Sequence, residues 1–437
     1  MNMYEYEDVE IIAGLDLGTS KIAVVVAERG TRSGDAQIIG VGCAPSRGIR
    51  KGVIVNLEQA AESVRHAVAD AEAMIGLSLR GFTVTTSGSE VSSIRSKGMI
   101  SLGRAPRQVT EHDLERVIEA ALSDVVVPSN HCSIHVVPVG FAIDGQKGID
   151  DPLGMTGIRL EAEVQSVVVP MAVVQNVINC VEMAGYAVTG LVLKPLASAL
   201  GVLSIEEAIA GTAVVDAGGG TTSISVYSEG SPRKLGVIPV GGDHITNDIA
   251  CTLKIPISRA EEIKKAVSLV EEGGVLEDEL EFEVRGKSYS CTVGEVLEVI
   301  ACRMEELFGT LIRRELEECD VSLLPGGIVL TGGVSLMPGL DEYVAELLDC
   351  PVRVAPPLDE QRMPPGKNDS SFASAAGIVR YVLEKERNPF RYLSPSLEFA
   401  VDRSIQKSRK SLSRSREAVY SVQKAWGSIK KSLKELF

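Results

Sequence analysis

The sequence predicts an α/β fold built from two related halves. Two strand–Asp–Gly-turn–strand units, IIAGLDLGTSKIAVVVAE at 11–28 and AVVDAGGGTTSISVY at 213–227, lie about 200 residues apart and resemble each other. A third apolar strand with a Gly-rich turn follows at 328–340, IVLTGGVSLMPGL. Segments with helical periodicity separate these units. Together the three observations indicate a duplicated fold.

Length and charge limit the classes of function. A chain of 437 residues is too long for one ordinary core, so we expect at least two domains. Residues 391–437 carry 11 lysines and arginines against 4 acidic residues, whereas the first 390 residues carry 33 against 55. An acidic body argues against a protein that coats nucleic acid, and the basic tail is expected to meet an anionic partner.

Cysteines and apolar runs indicate the compartment. The eight cysteines are scattered without a C-x-x-C pair, which predicts reduced thiols rather than disulfides or a metal site. The acidic start MNMYEYEDVE lacks the layout of a signal peptide. Because no apolar run reaches the ~18 residues of a spanning helix, we expect a cytosolic protein whose membrane contact is peripheral.

The first half is predicted to alternate strands and helices. Strands are expected at 38–44 and 52–55, and a helix capped by Asn56 is expected to run to about Gly76. Between about 82 and 164 the pattern changes to short β-rich pieces around one helix. Thr110 and Asp113 form a capping-box pattern at the start of that helix. The sequence thus predicts a small α+β module inserted into the first half.

The second half is predicted to be richer in helices. Helices are expected near 171–184, 195–209 and 371–383, and residues 256–320 are expected to be mostly helical. Ser-rich basic residues at 404–415 indicate a solvated linker.

The two Asp–Gly turns have the chemistry of a nucleoside triphosphate site. Glycines let backbone N–H groups approach phosphate oxygens, and a nearby carboxylate can hold Mg²⁺ through water. Either unit alone could be an ordinary tight hairpin, but two such hairpins facing each other would hold phosphates from both sides. The predicted phosphate residues are Asp16, Gly18, Thr19, Ser20, Lys21, Asp216, Gly218, Gly219, Gly220, Thr221 and Thr222, with Asp16 and Asp216 also holding Mg²⁺.

These motifs are similar to those of a known superfamily. LDLGTSK, VVDAGGGTT and IVLTGGVSLMPGL resemble the two phosphate motifs and the adenosine motif of the actin, sugar-kinase and chaperone ATPases. KPLASAL and SFASAAGIV resemble the two helices that connect its halves. Within the superfamily, the stretches at 44–58, 135–164 and 241–250 and the tail resemble the FtsA family of bacterial cell division proteins.

The resemblance implies an actin-like, ribonuclease H-like duplicated fold of four subdomains, with a 1C insert in place of subdomain 1B and a C-terminal amphipathic helix. It also implies that 1C and 2B join successive subunits of a filament, although the insert taken alone could be a surface decoration. The implied boundaries are 10–82, 165–210 and 370–390 for 1A, 83–164 for 1C, 211–242 and 322–369 for 2A, 243–321 for 2B, 391–415 for the linker and 416–437 for the membrane helix.

The resemblance also implies which residues contact the nucleoside, and this chain departs from the usual pattern at one position. Gly332 and Gly333 resemble the turn under the adenine, and RAEEIKKAVS resembles the helix beside it, which places Glu261, Lys264 and Lys265 near the ribose and base. By pattern alone that helix is a solvated charged face. Related ATPases carry Glu where this chain has Lys194, and a cation cannot orient the attacking water as a carboxylate does. We therefore expect ATP to serve as a switching ligand that is hydrolysed slowly at best, so that the chain is not primarily an enzyme.

A helix predicted at 294–316 offers a partner surface. Its apolar stripe includes Val296, Ile300 and Phe308 and is most simply a core face. The stretch also resembles the 2B helix on which FtsA receives the C-terminal peptide of FtsZ, and on it Arg303 and Glu306 are the expected contacts. A guanidinium suits an acidic peptide.

The tail SVQKAWGSIKKSLKELF is predicted to be an amphipathic helix. Such a helix could dock on its own body, bind a partner groove, touch nucleic acid or lie on lipid. A Ser-rich leash, a tryptophan and a lysine face favour an anionic membrane surface, and the resemblance agrees. The predicted membrane residues are Val422, Lys424, Trp426, Ile429, Lys430, Lys431, Leu433, Lys434, Leu436 and Phe437.

The resemblance therefore implies an ATP-binding division protein on the cytoplasmic face of the membrane at the division site. It would polymerise, tether FtsZ filaments and meet later division proteins, without nucleic acid. The alternatives are a phosphotransferase or chaperone-type ATPase of the same fold, and a pilus-assembly adaptor that captures another peptide.

Overall fold

The computed structural model describes residues 9–30, 36–270, 275–284, 287–319 and 324–394. The predicted membrane helix 416–437, with all ten of its assigned residues, and most of the predicted linker 391–415 lie outside the described residues. In the described part, no helix combines the length and apolar character that crossing a membrane requires.

The first half is a five-stranded sheet covered on both faces. The sheet order is β13-β6-β1-β2-β3, in which β1 is antiparallel to β2 and parallel to β6. The strands are β1 Val9–Leu17, β2 Lys21–Gly30, β3 Ala36–Pro45, β6 Gly81–Thr86 and β13 Ala187–Leu193, with β4 Ile49–Arg50 and β5 Val53–Ile54 in a short hairpin between them. The strand predicted at 52–55 is thus one side of this hairpin.

Alternation along β2 explains why both faces of this sheet are buried. Val24 and its even-numbered neighbours pack with Val64 and Val68 of α1 Leu57–Ile75, beside which lies α3 Met171–Ala184. The odd-numbered residues pack against the C-terminal helix α11 Ala373–Arg387. The predicted cap of α1 is confirmed, since the Asn56 side chain accepts from the Gln59 N–H at 3.0 Å.

The predicted inserted module is confirmed as a four-stranded antiparallel sheet, of order β10-β9-β12-β7, with one helix on it. Its elements are β7 Ser92–Ser101, β8 Arg107–Gln108, α2 Glu111–Leu122, β9 His131–Ile143, β10 Gln146–Ile149, β11 Thr156–Gly157 and β12 Arg159–Pro170. The Thr110–Asp113 capping box forms as expected. Arg107 also donates two hydrogen bonds of 2.6 Å to Asp113, which hold the pKa of that carboxyl well below its usual range.

The second half repeats the sheet of the first. Its order is β16-β15-β14-β19-β20, with β14 antiparallel to β15 and parallel to β19. The strands are β14 Thr212–Ala217, β15 Thr222–Ser228, β16 Ser231–Ile238, β19 Ile328–Thr331 and β20 Val352–Val354. The helices are α6 Gly242–Leu253, α7 Ile257–Ala266, α8 Val293–Met304, α9 Arg313–Glu317 and α10 Leu340–Leu348. The duplication predicted from the two hairpins is therefore present in the backbone.

Two helices join the halves where small residues allow close approach. α4 Lys194–Val202 crosses α11, and a Cβ added at Gly201 would lie 2.2 Å from the carbonyl oxygen of Ala373. The prediction of one helix near 195–209 is wrong, because α4 ends at Val202. Ser204 then accepts from the Glu207 N–H and caps a separate short helix, α5 Ile205–Ala210.

The prediction that 256–320 is mostly helical is partly wrong. An antiparallel hairpin, β17 Glu279–Val284 with β18 Lys287–Thr292, interrupts the helices. α8 and α9 are joined without a break by a π-helical segment, Glu305–Ile312. The apolar stripe of this long helix lies in the core of the second half, where Val296, Ile300 and Phe308 are all buried.

The predicted linker begins with residues that are packed. Tyr392 is fully buried, and Leu393 makes an antiparallel bridge to Val136 of β9 with N···O distances of 2.8 and 3.0 Å. Phe390 and Leu393 also pack against the core of the inserted module. The start at 391 is thus corrected: the chain leaves α11 and is fixed to the insert as far as Ser394.

Candidate functional site

The two Asp–Gly hairpins face each other across a cleft between the halves. Asp16 is the penultimate residue of β1 and Asp216 that of β14, and they are 3% and 4% exposed. A Cβ added at Gly219 would lie 1.8 Å from the Ser20 hydroxyl oxygen, and one at Gly220 would lie 2.6 Å from that of Thr19. The turns of the two halves are therefore in direct contact.

The cleft encloses a cavity of about 120 Å³. Its lining includes most of the predicted phosphate residues and both glycines of the third turn. These predicted residues are Asp16, Gly18, Thr19, Ser20, Lys21, Asp216, Gly218, Gly219, Gly220, Thr221, Gly332 and Gly333. The prediction that Thr222 contacts phosphate is corrected. Its fully buried hydroxyl donates to the Val240 carbonyl at 2.8 Å and supports the loop behind the turn.

Asp16 accepts four hydrogen bonds from three elements. Its Oδ1 accepts from the Thr85 hydroxyl at 2.7 Å and from Lys194 Nζ at 3.1 Å. Its Oδ2 accepts from the Ser374 hydroxyl at 2.7 Å and from Lys194 Nζ at 2.9 Å. Burial by itself raises the pKa of Asp16, but the charge of Lys194 and these hydrogen bonds outweigh it and lower the pKa.

The carboxylate of Asp216 is less well stabilised than that of Asp16. Its Oδ2 accepts from the Ser198 hydroxyl at 2.5 Å. Burial raises the pKa of Asp216, and the opposing charge of Lys194 and the hydrogen bond from Ser198 do not reverse that direction. Lys194 is held by Asp16 instead, and the charges of both carboxylates raise the pKa of Lys194 against the effect of burial.

The side chains around Asp16 do not fit the predicted magnesium site. A carboxylate has about four lone-pair positions, and four donated hydrogen bonds occupy them. A metal-bound water would have to displace one of these donors. Within the described ranges there is also no group of three or more His, Cys, Asp or Glu residues suited to a metal ion.

Lys21 contacts the short turn Ser370–Phe372 that precedes α11. Its Nζ donates to the Ser371 hydroxyl at 2.5 Å and lies 3.2 Å from the centroid of the Phe372 ring. Burial lowers the pKa of Lys21 to about 8, against the charges of Asp369 and Asp16. The ammonium predicted to meet phosphate thus bonds Ser371 in this structure, and both residues line the cleft.

The third turn lies beneath Asp216. Gly332 has φ +85°, and a Cβ there would lie 2.3 Å from Asp216 Oδ1, so only glycine fits. Gly332 also donates its N–H to the Ser370 carbonyl at 3.1 Å. The turn is fixed between the second hairpin and the start of α11.

The three residues predicted beside the ribose form one cluster next to the cleft. Lys264 Nζ lies 2.6 Å from Glu261 Oε2, 2.9 Å from the Thr246 hydroxyl and 3.3 Å from the Gly242 carbonyl. Lys265 pairs with the other Glu261 oxygen at 3.2 Å. The Gly242 N–H donates to the Gly218 carbonyl at 2.9 Å. The cluster is therefore connected to the phosphate turn through Gly242.

Four polar side chains of the site are not among the residues predicted from the sequence. Thr85, Ser198 and Ser374 hold the two aspartates, and Asp243 hydrogen-bonds Ser20 across the halves while burial raises its pKa. Ser198 and Ser374 lie within the connecting segments KPLASAL and SFASAAGIV, which were themselves recognised. Nothing in the local pattern distinguishes Thr85 from other strand threonines.

The predicted partner residues are paired with each other and with a neighbouring helix. Arg303 donates from Nε to Asp248 Oδ2 at 2.7 Å and from Nη2 to Oδ1 at 3.0 Å, and it also pairs with Glu306. The bidentate pair joins α8 to α6. These side chains are 24–48% exposed and stay predicted contacts.

Comparisons with known proteins relate this chain to division proteins. A family model described as "Cell division protein FtsA" matches residues 213–377, and one described as "SHS2 domain inserted in FTSA" matches residues 88–168. The cell division protein FtsA of Pseudomonas aeruginosa is 37% identical over 381 residues, with 86% of this chain and 90% of that protein covered. The protein of the same name from Escherichia coli K12 is 34% identical, with 88% and 93% covered.

Solved structures show the fold. The PilM–PilN type IV pilus biogenesis complex aligns with a TM-score of 0.61 at 18% identity, covering 85% of this chain and 98% of that one. MreB5 of Spiroplasma citri bound to ADP aligns with a TM-score of 0.52 at 16% identity, covering 87% and 99%. The duplicated sheets with the inserted module are therefore an actin-like fold.

Proposed function

Because the chain belongs to the FtsA family of cell division proteins, we propose that it binds ATP between its two hairpins, polymerises, and tethers FtsZ filaments to the membrane. The observation that carries the nucleotide part is the direct opposition of two Asp–Gly turns from duplicated halves. The FtsA relatives favour a division role over the pilus-adaptor and phosphotransferase alternatives.

ATP would bind between the halves and would hold the two turns apart. The turns of the two hairpins are in contact, so a triphosphate requires them to separate by a movement about α4 and α11. Backbone N–H groups of both turns would then face the phosphates. Structures of MreB5 of Spiroplasma citri bound to ADP and to AMPPNP support a nucleotide in this fold. Nucleotide binding would thereby change the angle between the halves.

Hydrolysis is expected to be slow. Lys194 stands where related ATPases carry a glutamate, and its ammonium is held by Asp16 at 2.9 and 3.1 Å. It cannot accept a proton from the attacking water. A steady-state turnover above about 1 s⁻¹, the low end of the usual enzyme range, would contradict this part of the proposal.

Self-association is proposed through the insert and the region 243–321. Apolar side chains are exposed on the outer strands and loops of the insert: Met99, Leu153, Met155 and Ile158. Neighbouring exposed apolar residues are typical of protein contacts. In the other region, the exposed Ile257 begins α7. One subunit's insert would contact the next subunit's second half.

FtsZ and the membrane would be bound by different segments of the chain. Arg303 and Glu306 are the proposed contacts for the FtsZ C-terminal peptide, which would compete with Asp248 for the guanidinium. Residues 416–437 would lie on anionic lipid at the cytoplasmic face of the division site. One tail holds weakly, since four lysines contribute ~1 kcal/mol each and helix ordering offsets much of the gain. A filament presents many tails and binds through effective concentration.

Sedimentation with anionic vesicles and ATP, with and without FtsZ, tests the proposal. The intact chain should pellet with the vesicles and carry FtsZ with it, whereas a chain ending at Ser415 should stay in solution. Lys430→Gln with Lys431→Gln should weaken binding by about 2 kcal/mol, or roughly thirtyfold. Lys407→Gln with Lys410→Gln makes the same charge change in the spacer and is the matched control.

Two results would contradict the tether. If the intact chain stays in solution with anionic vesicles, the tail binds protein rather than lipid. If both double substitutions weaken binding equally, the attraction is a general effect of basic charge and not of a helix lying on the surface.

A further inference from the structure

Lys194 occupies the position between the two hairpins that a cation would need. Its side chain is 12% exposed, and its ammonium contacts both oxygens of Asp16. It comes from the first residue of α4, the helix that joins the two halves. It also lines the cleft beside the turns of both hairpins. The charge of Asp216 acts on it as well, so one ammonium serves two carboxylates.

The bonding of Asp16 leaves no room for a second cation. Thr85, Ser374 and Lys194 together donate four hydrogen bonds to its two oxygens. A hydrated divalent ion beside Lys194 would place two cations on one carboxylate. Lysine has three N–H donors, and Asp16 uses two of them. The third is available to an anion in the cleft.

We propose that Lys194 is the resident countercharge of Asp16, so that a nucleoside polyphosphate binds this cleft without a magnesium ion held by that aspartate. This inference rests on the proposed nucleotide site and adds its ionic requirement. Lys194 neutralises Asp16, which would otherwise repel the phosphates, and its third N–H donates to a phosphate oxygen. Free ATP and its magnesium complex therefore bind with similar affinity.

Equilibrium dialysis of the full-length protein with labelled ATP, in excess EDTA or in millimolar Mg²⁺, tests this requirement. The wild-type dissociation constants under the two conditions should differ by less than fivefold. Lys194→Gln should lose more than tenfold in affinity for free ATP, because an unpaired carboxylate then faces the phosphates. Added Mg²⁺ should restore most of that loss by taking the place of the ammonium.

Lys367→Gln is the matched control. Lys367 also forms an ion pair with a carboxylate, Asp70, at 2.6 Å, but this partly exposed pair lies outside the cleft. This substitution should leave both dissociation constants as in the wild type. Circular dichroism and thermal unfolding establish that each variant is folded. Should Lys194→Gln fail to fold, the double substitution Asp16→Asn with Lys194→Gln removes both charges and should stay independent of Mg²⁺.

The outcomes separate the two levels of proposal. If wild-type affinity falls fivefold or more in EDTA, Asp16 or Asp216 does require a metal and the inference is wrong. If neither the wild type nor Lys194→Gln responds to Mg²⁺, Lys194 is not the countercharge. If no ATP binds under either condition, the nucleotide part of the proposed function fails and not merely its ionic requirement.

Discussion

The two hairpins share a backbone and differ in charge. β1–β2 and β14–β15 have the same antiparallel pairing, the same penultimate aspartate and the same position in equivalent sheets. Asp16 nevertheless has a lowered pKa and Asp216 a raised one. The difference arises because the connecting helix α4 supplies one ammonium, which pairs with Asp16. Duplication of a fold therefore does not duplicate its electrostatics.

The two turns also differ in how tightly they close. A Cβ added at Gly18 would lie 2.4 Å from the Lys21 carbonyl oxygen, whereas one at Gly218 would lie 3.1 Å from the corresponding Thr221 oxygen. The first turn has no space for a side chain at its glycine, whereas the second has almost enough space for a methyl group. The more tightly bonded aspartate thus lies in the more tightly closed turn.

Removing each aspartate should give the largest difference between the hairpins. Asp16→Asn leaves the mostly buried Lys194 without its hydrogen-bonded counter-ion, and the loss of such a partner typically costs about 3–5 kcal/mol. Asp216→Asn should cost about 1 kcal/mol or less, because an amide oxygen can still accept from Ser198 and no cation is left unpaired. Urea unfolding at neutral pH measures both losses in the free energy of unfolding.

Equal losses would break the comparison. In that case the ammonium of Lys194 would be shared evenly by the two carboxylates rather than held by Asp16. Ser123→Ala, at the exposed end of α2 in the insert, is a control that should change the free energy of unfolding by only a few tenths of a kcal/mol.

Replacing the first glycine of each turn with alanine should give the next largest difference. Gly18→Ala should lower the free energy of unfolding by about 1–3 kcal/mol, because the new methyl group meets a backbone oxygen that cannot move freely. Gly218→Ala should cost less than half as much, since a shift of a few tenths of an ångström relieves its contact. Thermal unfolding of the two variants side by side measures the difference.

Gly140→Ala is the control for the alanine itself. Gly140 lies on β9 of the insert with nothing within 4 Å of its added Cβ, so little change is expected. A larger loss for Gly218→Ala than for Gly18→Ala would show that the second turn is the more rigid one.

Local patterns predicted the backbone of the site but not its bonding. The Asp–Gly spacing within 16–21 and 216–222 was sufficient to place both turns, because tight turns depend on nearby residues. The bonds to Asp16 come from residues 69, 178 and 358 positions away. No periodicity relates such positions, so Lys194 was recognised only as a departure from a motif and not as a partner of Asp16.

Two errors in the predicted fold have different physical causes. Ser204 and Glu207 form a capping box inside a mainly apolar stretch, and the cap starts a new helix where periodicity predicts continuation. The hairpin β17–β18 lies within the charged region 256–320, which the sequence analysis predicts to be mostly helical. In β17, Leu280, Phe282 and Val284 alternate with glutamates, which is the period of a strand and not of a helix, so a helical prediction for the whole region overlooks it.

The pH dependence of stability should give the smallest and most specific difference. Both aspartates have an ordinary pKa of 3.8 when unfolded. Because folding lowers the pKa of Asp16, its stabilising contribution is present above pH 3.8 and is lost as the pH falls through the folded value. Because folding raises the pKa of Asp216, its contribution is greatest below pH 3.8 and is lost as the pH rises through the folded value.

The loss of stability caused by Asp16→Asn should therefore increase with pH, and that caused by Asp216→Asn should decrease with pH. Each slope is below about 1.4 kcal/mol per pH unit, the limit for one proton. Urea unfolding of the wild type and both variants between pH 3 and 7 gives the two difference curves. Slopes of the same sign would mean that the two carboxylates titrate together, and that Lys194 cannot maintain opposite environments in the two halves of the cleft.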